Sequence, residues 1–559
     1  MLLSPHRERL WFALLLLGTA LLAFWSLGSL PLVDVDEPVY GQVGKEMAHA
    51  GLSGWLTPHY GGQFWFDKPP LFYWLTALSM RGFGVSEFAA RLPSALLSVA
   101  LVAVTYALAR RAYPPGDAVT YRLVRRTYPP PPRSALWAGF ALATCVQFFL
   151  LARAAVTDMT LAVTLTGALL ALYVWTQTDR GRWIALAGAL TGLAALTKGP
   201  VALVLIGVQT IAYLCLTRQA KRLLSPALWG GFALCLLVGL PWFLLMIHLH
   251  GKLFIDGFLE ANNVTRYLQA EHKETSPFWF FLPVLLGGFF PWSLALPGAL
   301  VLAWRQGREA WQAQVTDNPA LFLGLWIALV FVFFSASQSK LITYIFPLYP
   351  TAAVLVGSWL AYRPEALARI DPLKFYAAAN LLLLFPLWKA AVQFDVSPVT
   401  LRLWLLILVL SVFAIVAFGK RRGTWLIPGT VTALFLLIAW CSPTWKVREA
   451  DISERKLAAV AAQTSPPDEV IHALGFKHPS LRYYSARPVV YTDDHPASAE
   501  DIRQHPGVVY AMRIKDEDDL RGVYHVTNYQ ELWRYDKTVL IQATPAKAPE
   551  VPKEKHSHA

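Results

Sequence analysis

Thirteen apolar runs separated by polar connections constrain what this chain can fold into. A helix needs about 20 mostly apolar residues to cross a bilayer, with a range near 17–25. The runs lie at residues 10–28, 88–109, 135–152, 157–176, 183–197, 200–217, 226–247, 279–303, 320–335, 341–362, 374–392, 402–419 and 424–441. Inside a bilayer the backbone must satisfy its own hydrogen bonds, so such runs fold as helices. The expected architecture over residues 1–441 is therefore an α-helical polytopic membrane protein. Composition agrees: 55% of the 559 residues are hydrophobic and only 15% charged, against about 25% charged in soluble domains. Residues 11–27 lack a small-residue cleavage site and read as a retained span, not a signal peptide.

Charge on the connections sets the orientation. Every second connection is basic: Arg7 and Arg9, then Arg110 to Arg133, Arg180 and Arg182, Arg218 to Arg222, Arg305 and Arg308, Arg363 to Lys374, and Lys420 to Arg422. Basic residues collect on cytoplasmic loops. That set and the N-terminus are therefore expected in the cytoplasm, and an odd number of spans places the C-terminus outside. Part of the net charge of +13 is thus topological, and no nucleic-acid recognition motif accompanies it. The basic loop 110–134 repeats RRAYPP as RRTYPP, a proline-rich extended spacer. Cys145, Cys215, Cys235 and Cys441 lie in or at the end of apolar runs without metal-ligand spacing.

From about residue 442 the composition turns soluble. Short β-rich runs at 470–474, 488–492, 508–512 and 538–542 alternate with polar helical stretches near 451–463 and 498–504. The expectation is an α/β domain over 442–545 and a disordered tail over 546–559.

The opposite set of connections carries the chemistry. Residues 28–87 are too long and too aromatic for a simple tether. They hold Asp34, Asp36 and Glu37 just after the first span, then Asp67-Lys68-Pro69-Pro70 before an aromatic run. Asp36 and Glu37 read as an acidic pair opening a helix, with Pro38 in its first turn and Tyr40 beyond. That backbone role leaves their carboxylates available for function. For Asp34 a structural role is at least as good a reading. Asp158, near Arg153, reads either as a helix N-cap or as a carboxylate facing an outer cavity, since charges at membrane depth are costly and mark function. Lys68, Lys198 and Lys340 each sit beside a span on the side that the positive-inside tendency disfavours. Singly they read as snorkelling anchors; together with Arg266, in the loop 248–278, they suit a phosphate. Tyr344 belongs to the same group or to an interfacial aromatic belt. All these residues are expected on one membrane face. No nucleotide-binding or hydrolase motif appears. A divalent cation is a candidate cofactor, although no ligand set stands out.

In order along the chain stand DEPVYGQ (36–42), FDKPPLFYW (66–74), FAARLPSAL (88–96), TD (157–158), TKGP (197–200), NNVTRY (262–267), PFWFF (277–281) and SKLITYIFPLYP (339–350). This series resembles the polyprenol-phosphate-sugar-dependent membrane glycosyltransferases of the C-type fold, which include protein O-mannosyltransferases. More narrowly, it is similar to the bacterial 4-amino-4-deoxy-L-arabinose lipid A transferases. The match covers about residues 10–350. Asp67 departs from it, because glutamate commonly precedes Lys-Pro there. The resemblance implies thirteen spans, an external α/β domain, an inner-membrane location, and undecaprenyl phosphate aminoarabinose as donor. It implies lipid A as acceptor and inverting pentosyl transfer. Asp36, Asp158 and Glu37 would then be catalytic, Lys68, Lys198, Arg266 and Lys340 phosphate-binding, and Tyr40, Asp67 and Tyr344 cavity-lining. A relative acting on another sugar or on a protein hydroxyl is the alternative within the class. A lipid-linked sugar transporter or flippase is the alternative outside it, although no inverted repeat is visible.

Overall fold

In the computed structural model the described residues are 5–114, 133–265, 277–362, 453–464, 469–474, 478–485, 487–492, 509–513, 529–535 and 538–543. The apolar runs at 374–392, 402–419 and 424–441, the helical stretch near 498–504, the tail 546–559 and Arg266 lie outside them. The described chain groups into two compact units. Residues 5–30 and 43–362 form the first; residues 31–42 and those from 453 onward form the second.

The first unit is helical. Helices α1 (Pro5–Phe24), α2 (Asp36–His49), α3 (Leu52–Leu56), α4 (Leu71–Phe83), α5 (Glu87–Ala112), α6 (Ser134–Ala143), α7 (Val146–Ala152), α8 (Asp158–Thr178) and α9 (Gly181–Lys198) come first. They are followed by α10 (Val201–Leu216), α11 (Pro226–His250), α12 (Phe281–Gly288), α13 (Leu296–Gln312), α14 (Pro319–Ala336) and α15 (Tyr349–Tyr362). The start of α2 belongs to the second unit. Among the described residues α5, α8, α11 and α14 are long and apolar enough to cross a membrane, and α6 with α7 makes a fifth if counted as one bent span.

Three expected spans are not continuous helices; in the run at 341–362 the α-helix begins only at Tyr349. The run at 135–152 bends by 64° between α6 and α7. Thr144 turns its hydroxyl back to the Phe140 carbonyl at 2.7 Å and accepts from Trp292 Nε1 at 2.9 Å. The run at 279–303 breaks between α12 and α13, where Pro291 has no N–H to continue a helix. The loop expected over 248–278 is helical as far as Thr265, continuing from α11 into a π-helical stretch, Ile255–Thr265. Hydropathy reports the composition of a segment and is blind to a bend that other segments brace.

Helices α9 and α11 pack where side chains are absent. A Cβ on Gly192 would stand 2.7 Å from the Cys235 carbonyl, and one on Gly231 would stand 2.6 Å from that of Ile184. Small residues let membrane helices approach this closely. Two arginines, the buried Arg91 and the half-buried Arg153, fix the end of α1. Arg91 donates to the carbonyls of Leu27 at 3.2 Å and Leu30 at 2.6 Å. Arg153 donates to those of Leu22 at 3.0 Å and Trp25 at 2.5 Å. The negative end of a helix favours such cations.

The second unit contains α16 (Ser453–Thr464), β3 (Ile471–Leu474), α17 (Pro479–Ser485), β4 (Val489–Thr492), β5 (Val509–Arg513), β6 (Tyr529–Tyr535) and β7 (Thr538–Ala543). Its sheet order is β4-β3-β5-β7-β6; β3 is parallel to β4 and β5, and β7 is antiparallel to β5 and β6. Leu457, Ala458 and Ala461 of α16 pack on Ile471, Ala473, Val509, Ala511 and Leu540. The four β-rich runs fall on β3, β4, β5 and β7. Strand β6, with its alternation interrupted by a bulge near Glu531, and the short α17 were not apparent.

Gly192→Ala should lower stability in detergent by about 1–3 kcal/mol, as overpacking does. Gly207→Ala in α10, where a Cβ meets nothing within 4 Å, should be neutral or stabilising. Thermal unfolding of the two variants checks the pair; equal midpoints would mean that α9 and α11 do not approach so closely.

Candidate functional site

In the first unit three expected residues meet. Asp158 is the first residue of α8 and Lys198 the last of α9. Lys198 Nζ donates to Asp158 Oδ1 at 2.9 Å, with the side chains only 12% and 9% exposed. The same ammonium lies 4.8 Å from the centroid of the Tyr344 ring, a distance at which an ammonium is attracted by the ring face. Each charge also stands at the helix end that favours it, a carboxylate at the N-terminus and an ammonium at the C-terminus. Thr157, not Asp158, is the N-cap of α8; Asp158 is the first residue inside the helix and is buried against a cation.

Tyr344 comes from the turn after α14. Its amide donates to the Leu341 carbonyl at 3.0 Å, and Ser337 Oγ donates to the Ser339 carbonyl at 2.9 Å. Gln147, one residue into α7, donates Nε2 to the Ile342 carbonyl at 2.7 Å. The bend between α6 and α7 therefore places a side chain that holds the turn bearing Lys340 and Tyr344. Burial pushes the Lys340 ammonium below the ordinary lysine pKa.

Asp67 and Lys68 form a second pair. Lys68 Nζ donates to Asp67 Oδ1 at 2.9 Å and to the Asp67 carbonyl at 3.2 Å. The pair follows a two-residue hairpin, β1 (His59–Tyr60) and β2 (Gln63–Phe64). Gly61 and Gly62 turn it with φ of +65° and +76°, which glycine adopts freely. Glu46 of α2 accepts from both turn amides, at 2.7 and 3.1 Å. Phe66 buries itself against Leu196, Trp242, Met246, Phe254 and Phe258. The aromatic character of this stretch thus anchors the Asp-Lys pair to α11 and its extension.

Asp36, Glu37 and Tyr40 group with the second unit. Asp36 is exposed at the first position of α2, while Glu37 and Tyr40 are buried. The Val33 amide donates to Glu37 Oε2 at 2.8 Å, so this carboxylate braces the entry to its own helix. Asp34 accepts from the Ser480 amide at 3.0 Å and from the Ser480 hydroxyl, the structural role open to it from sequence. Among the described residues no group of three His, Cys, Asp or Glu side chains stands close enough to hold a metal ion.

Gln147, Arg91 and Glu46 were not singled out as site-building residues. Gln147 sits in an apolar run and Arg91 early in another; a polar side chain buried in a span is the signal that marks both.

Removing Lys198 leaves the Asp158 carboxylate buried without that cation. Lys198→Met should cost about 3 kcal/mol, and Asp158→Asn combined with Lys198→Met should cost less than the two single changes added. Chemical denaturation of the four proteins measures this; strict additivity would mean that the pair is not coupled.

The model for the dolichyl-phosphate-mannose-protein mannosyltransferase family matches residues 67–120 and 116–244. An undecaprenyl phosphate-alpha-4-amino-4-deoxy-L-arabinose arabinosyl transferase of Pseudomonas fluorescens is 31% identical over 368 residues, 63% of this chain and 59% of that one. The enzyme of the same name from Edwardsiella ictaluri is 28% identical over 58% of this chain and 55% of its own length. The chain thus spans less than two thirds of the length of these curated relatives. The crystal structure of ArnT from Cupriavidus metallidurans bound to undecaprenyl phosphate matches with a TM-score of 0.72 and 24% identity, over 95% of this chain and 97% of that one. The fold is therefore that of ArnT, the C-type architecture expected from the motifs.

Proposed function

We propose that the protein is a glycosyltransferase that moves 4-amino-4-deoxy-L-arabinose from undecaprenyl phosphate to a phosphate of lipid A, at the periplasmic face of a bacterial inner membrane. The buried Asp158–Lys198 pair beside Tyr344 carries the proposal, because it holds an ammonium in a fixed position where the ends of two apolar helices meet. The shared fold and the names of the relatives support the same assignment.

The chemistry is a displacement at the anomeric carbon with inversion. An acceptor phosphate oxygen forms the new bond while the bond to undecaprenyl phosphate breaks, and the electron pair leaves on that phosphate. Cations aimed at developing negative charge lower such a barrier. Lys68, Lys198, Lys340 and Arg266 are assigned to this task. Asp67 and Asp158 hold Lys68 and Lys198 in place, and Tyr344 lines the Lys198 ammonium. The acceptor is largely ionised near neutral pH, since a phosphate monoester's second pKa is about 6, so no general base is required. Asp36 then contacts the sugar, its ammonium or its developing positive charge. Thirteen spans with the α/β unit in the periplasm complete the proposed topology. The product carries a new amine over an anionic phosphate, which weakens the binding of cationic peptides such as polymyxin.

The match to the mannosyltransferase family model favours a second reading, transfer to a protein hydroxyl, in which Asp36 would deprotonate the acceptor. Mass spectrometry of lipid A from cells with and without the protein separates the two. A gain of one aminopentose supports the proposal. An unmodified lipid A beside a glycosylated protein supports the second reading, and neither product points to a transporter. Asp36→Ala should abolish the gain in a folded protein.

The lowered pKa of Lys340 gives a pH signature. Its ammonium is present below that pKa and is lost as pH rises through it, so the transfer rate should fall on the alkaline side. Lys340→Arg, whose guanidinium stays charged, should move the fall to higher pH. An unchanged pH–rate profile would remove Lys340 from the charged machinery.

A further inference from the structure

The segment that carries Asp36 is fastened to one short helix of the α/β unit. Before the acidic helix begins, the Leu32 amide donates to Tyr484 Oη at 2.8 Å. Two residues on, the Asp34 carboxylate accepts from the Ser480 amide at 3.0 Å and from the Ser480 hydroxyl. Past Asp36, Gly41 lies against the same helix: a Cβ there would stand 2.9 Å from Leu32 Cδ1 and 3.1 Å from Tyr483 Cε2. Residues on both sides of Asp36 therefore contact α17.

That helix is itself well held. Leu481 is fully buried in the core beneath the sheet, and the Arg482 guanidinium donates to the Val489 carbonyl of β4. Tyr491 of β4 donates its hydroxyl to the His478 carbonyl at 2.9 Å. Arg455 of α16 sits 5.8 Å from the Tyr484 ring centroid. A segment tied to such a support keeps its geometry through a reaction cycle, and positioning errors near 1 Å can cost about a hundredfold in rate.

We propose that α17 is a platform that holds the Asp36-bearing segment in its reactive conformation, with Asp34, Ser480 and Tyr484 as positioning residues for sugar transfer. The α/β unit thereby takes a direct part in the transfer reaction. The proposal rests on the role given to Asp36 above.

The test uses the full chain in lipid nanodiscs with the undecaprenyl-phosphate-linked sugar and lipid A. Tyr484→Phe and Ser480→Ala are each compared with wild type, with Ser480→Thr as the conservative control and Asp36→Ala as the test of the earlier assignment. Amide hydrogen exchange over residues 30–37 should quicken in the Phe and Ala variants. Their kcat should fall about tenfold or more while KM for the donor stays within about twofold, and Ser480→Thr should keep both exchange and kcat near wild type. Unchanged exchange would overturn the platform, as would faster exchange at wild-type kcat. A loss of kcat in Ser480→Thr equal to that in Ser480→Ala would also overturn it, since the hydroxyl would then not matter. Should Asp36→Ala transfer sugar at the wild-type rate, the role of Asp36 fails, and that failure is read independently of the exchange data.

Discussion

A charge among apolar helices has to be paired, solvated or placed at a helix end, and Asp158 and Lys198 meet this constraint together. The carboxylate begins α8 and the ammonium ends α9. A 2.9 Å contact closes the pair, and both helix dipoles favour it. Around the pair, Gln147 pins the turn of Tyr344 and Lys340, and the bend between α6 and α7 is what brings Gln147 there. The same logic holds Lys68, whose ammonium is shared with its neighbour Asp67, while Phe66 provides the anchorage.

Much of this was legible in the sequence, and for identifiable reasons. Helix α8 is an apolar run bounded by Asp158 and α9 one that ends at Lys198, so composition alone located both charges at helix ends. Their direct contact across 40 residues was not legible, because span hydropathy carries no information about which helix ends meet. The acidic helix at Asp36 followed from its acidic first turn and Pro38. The breaks in the runs at 135–152 and 279–303 were hidden: Trp292, remote in sequence, braces Thr144, and a window average passes over Pro291. In the sheet, β3, β4, β5 and β7 showed as short β-rich runs. Strand β6 did not, since a bulge spoils its alternation and Glu531, Arg534 and Gln530 read as loop.

Polar side chains here serve mainly to hold backbone. Arg91 and Arg153 occupy carbonyls at the end of α1, Glu46 takes both amides of the Gly61-Gly62 turn, Glu37 takes the amide of Val33, and Asp34 takes that of Ser480. An apolar interior leaves unpaired backbone groups costly, and a charged partner makes the stronger bond. Acidic residues that look catalytic in the sequence therefore divide. Asp34 and Glu37 shape the segment that carries the exposed Asp36.

The proposed reaction is the hand-over of a lipid-linked sugar to a phosphate by this protein alone. The most direct measurement is transfer in a reconstituted system of purified protein, undecaprenyl phosphate aminoarabinose and lipid A, with the products read by mass. The expected result is lipid A heavier by one aminopentose, with a matching release of undecaprenyl phosphate. Donor that stays intact with a folded protein and a competent acceptor would contradict it.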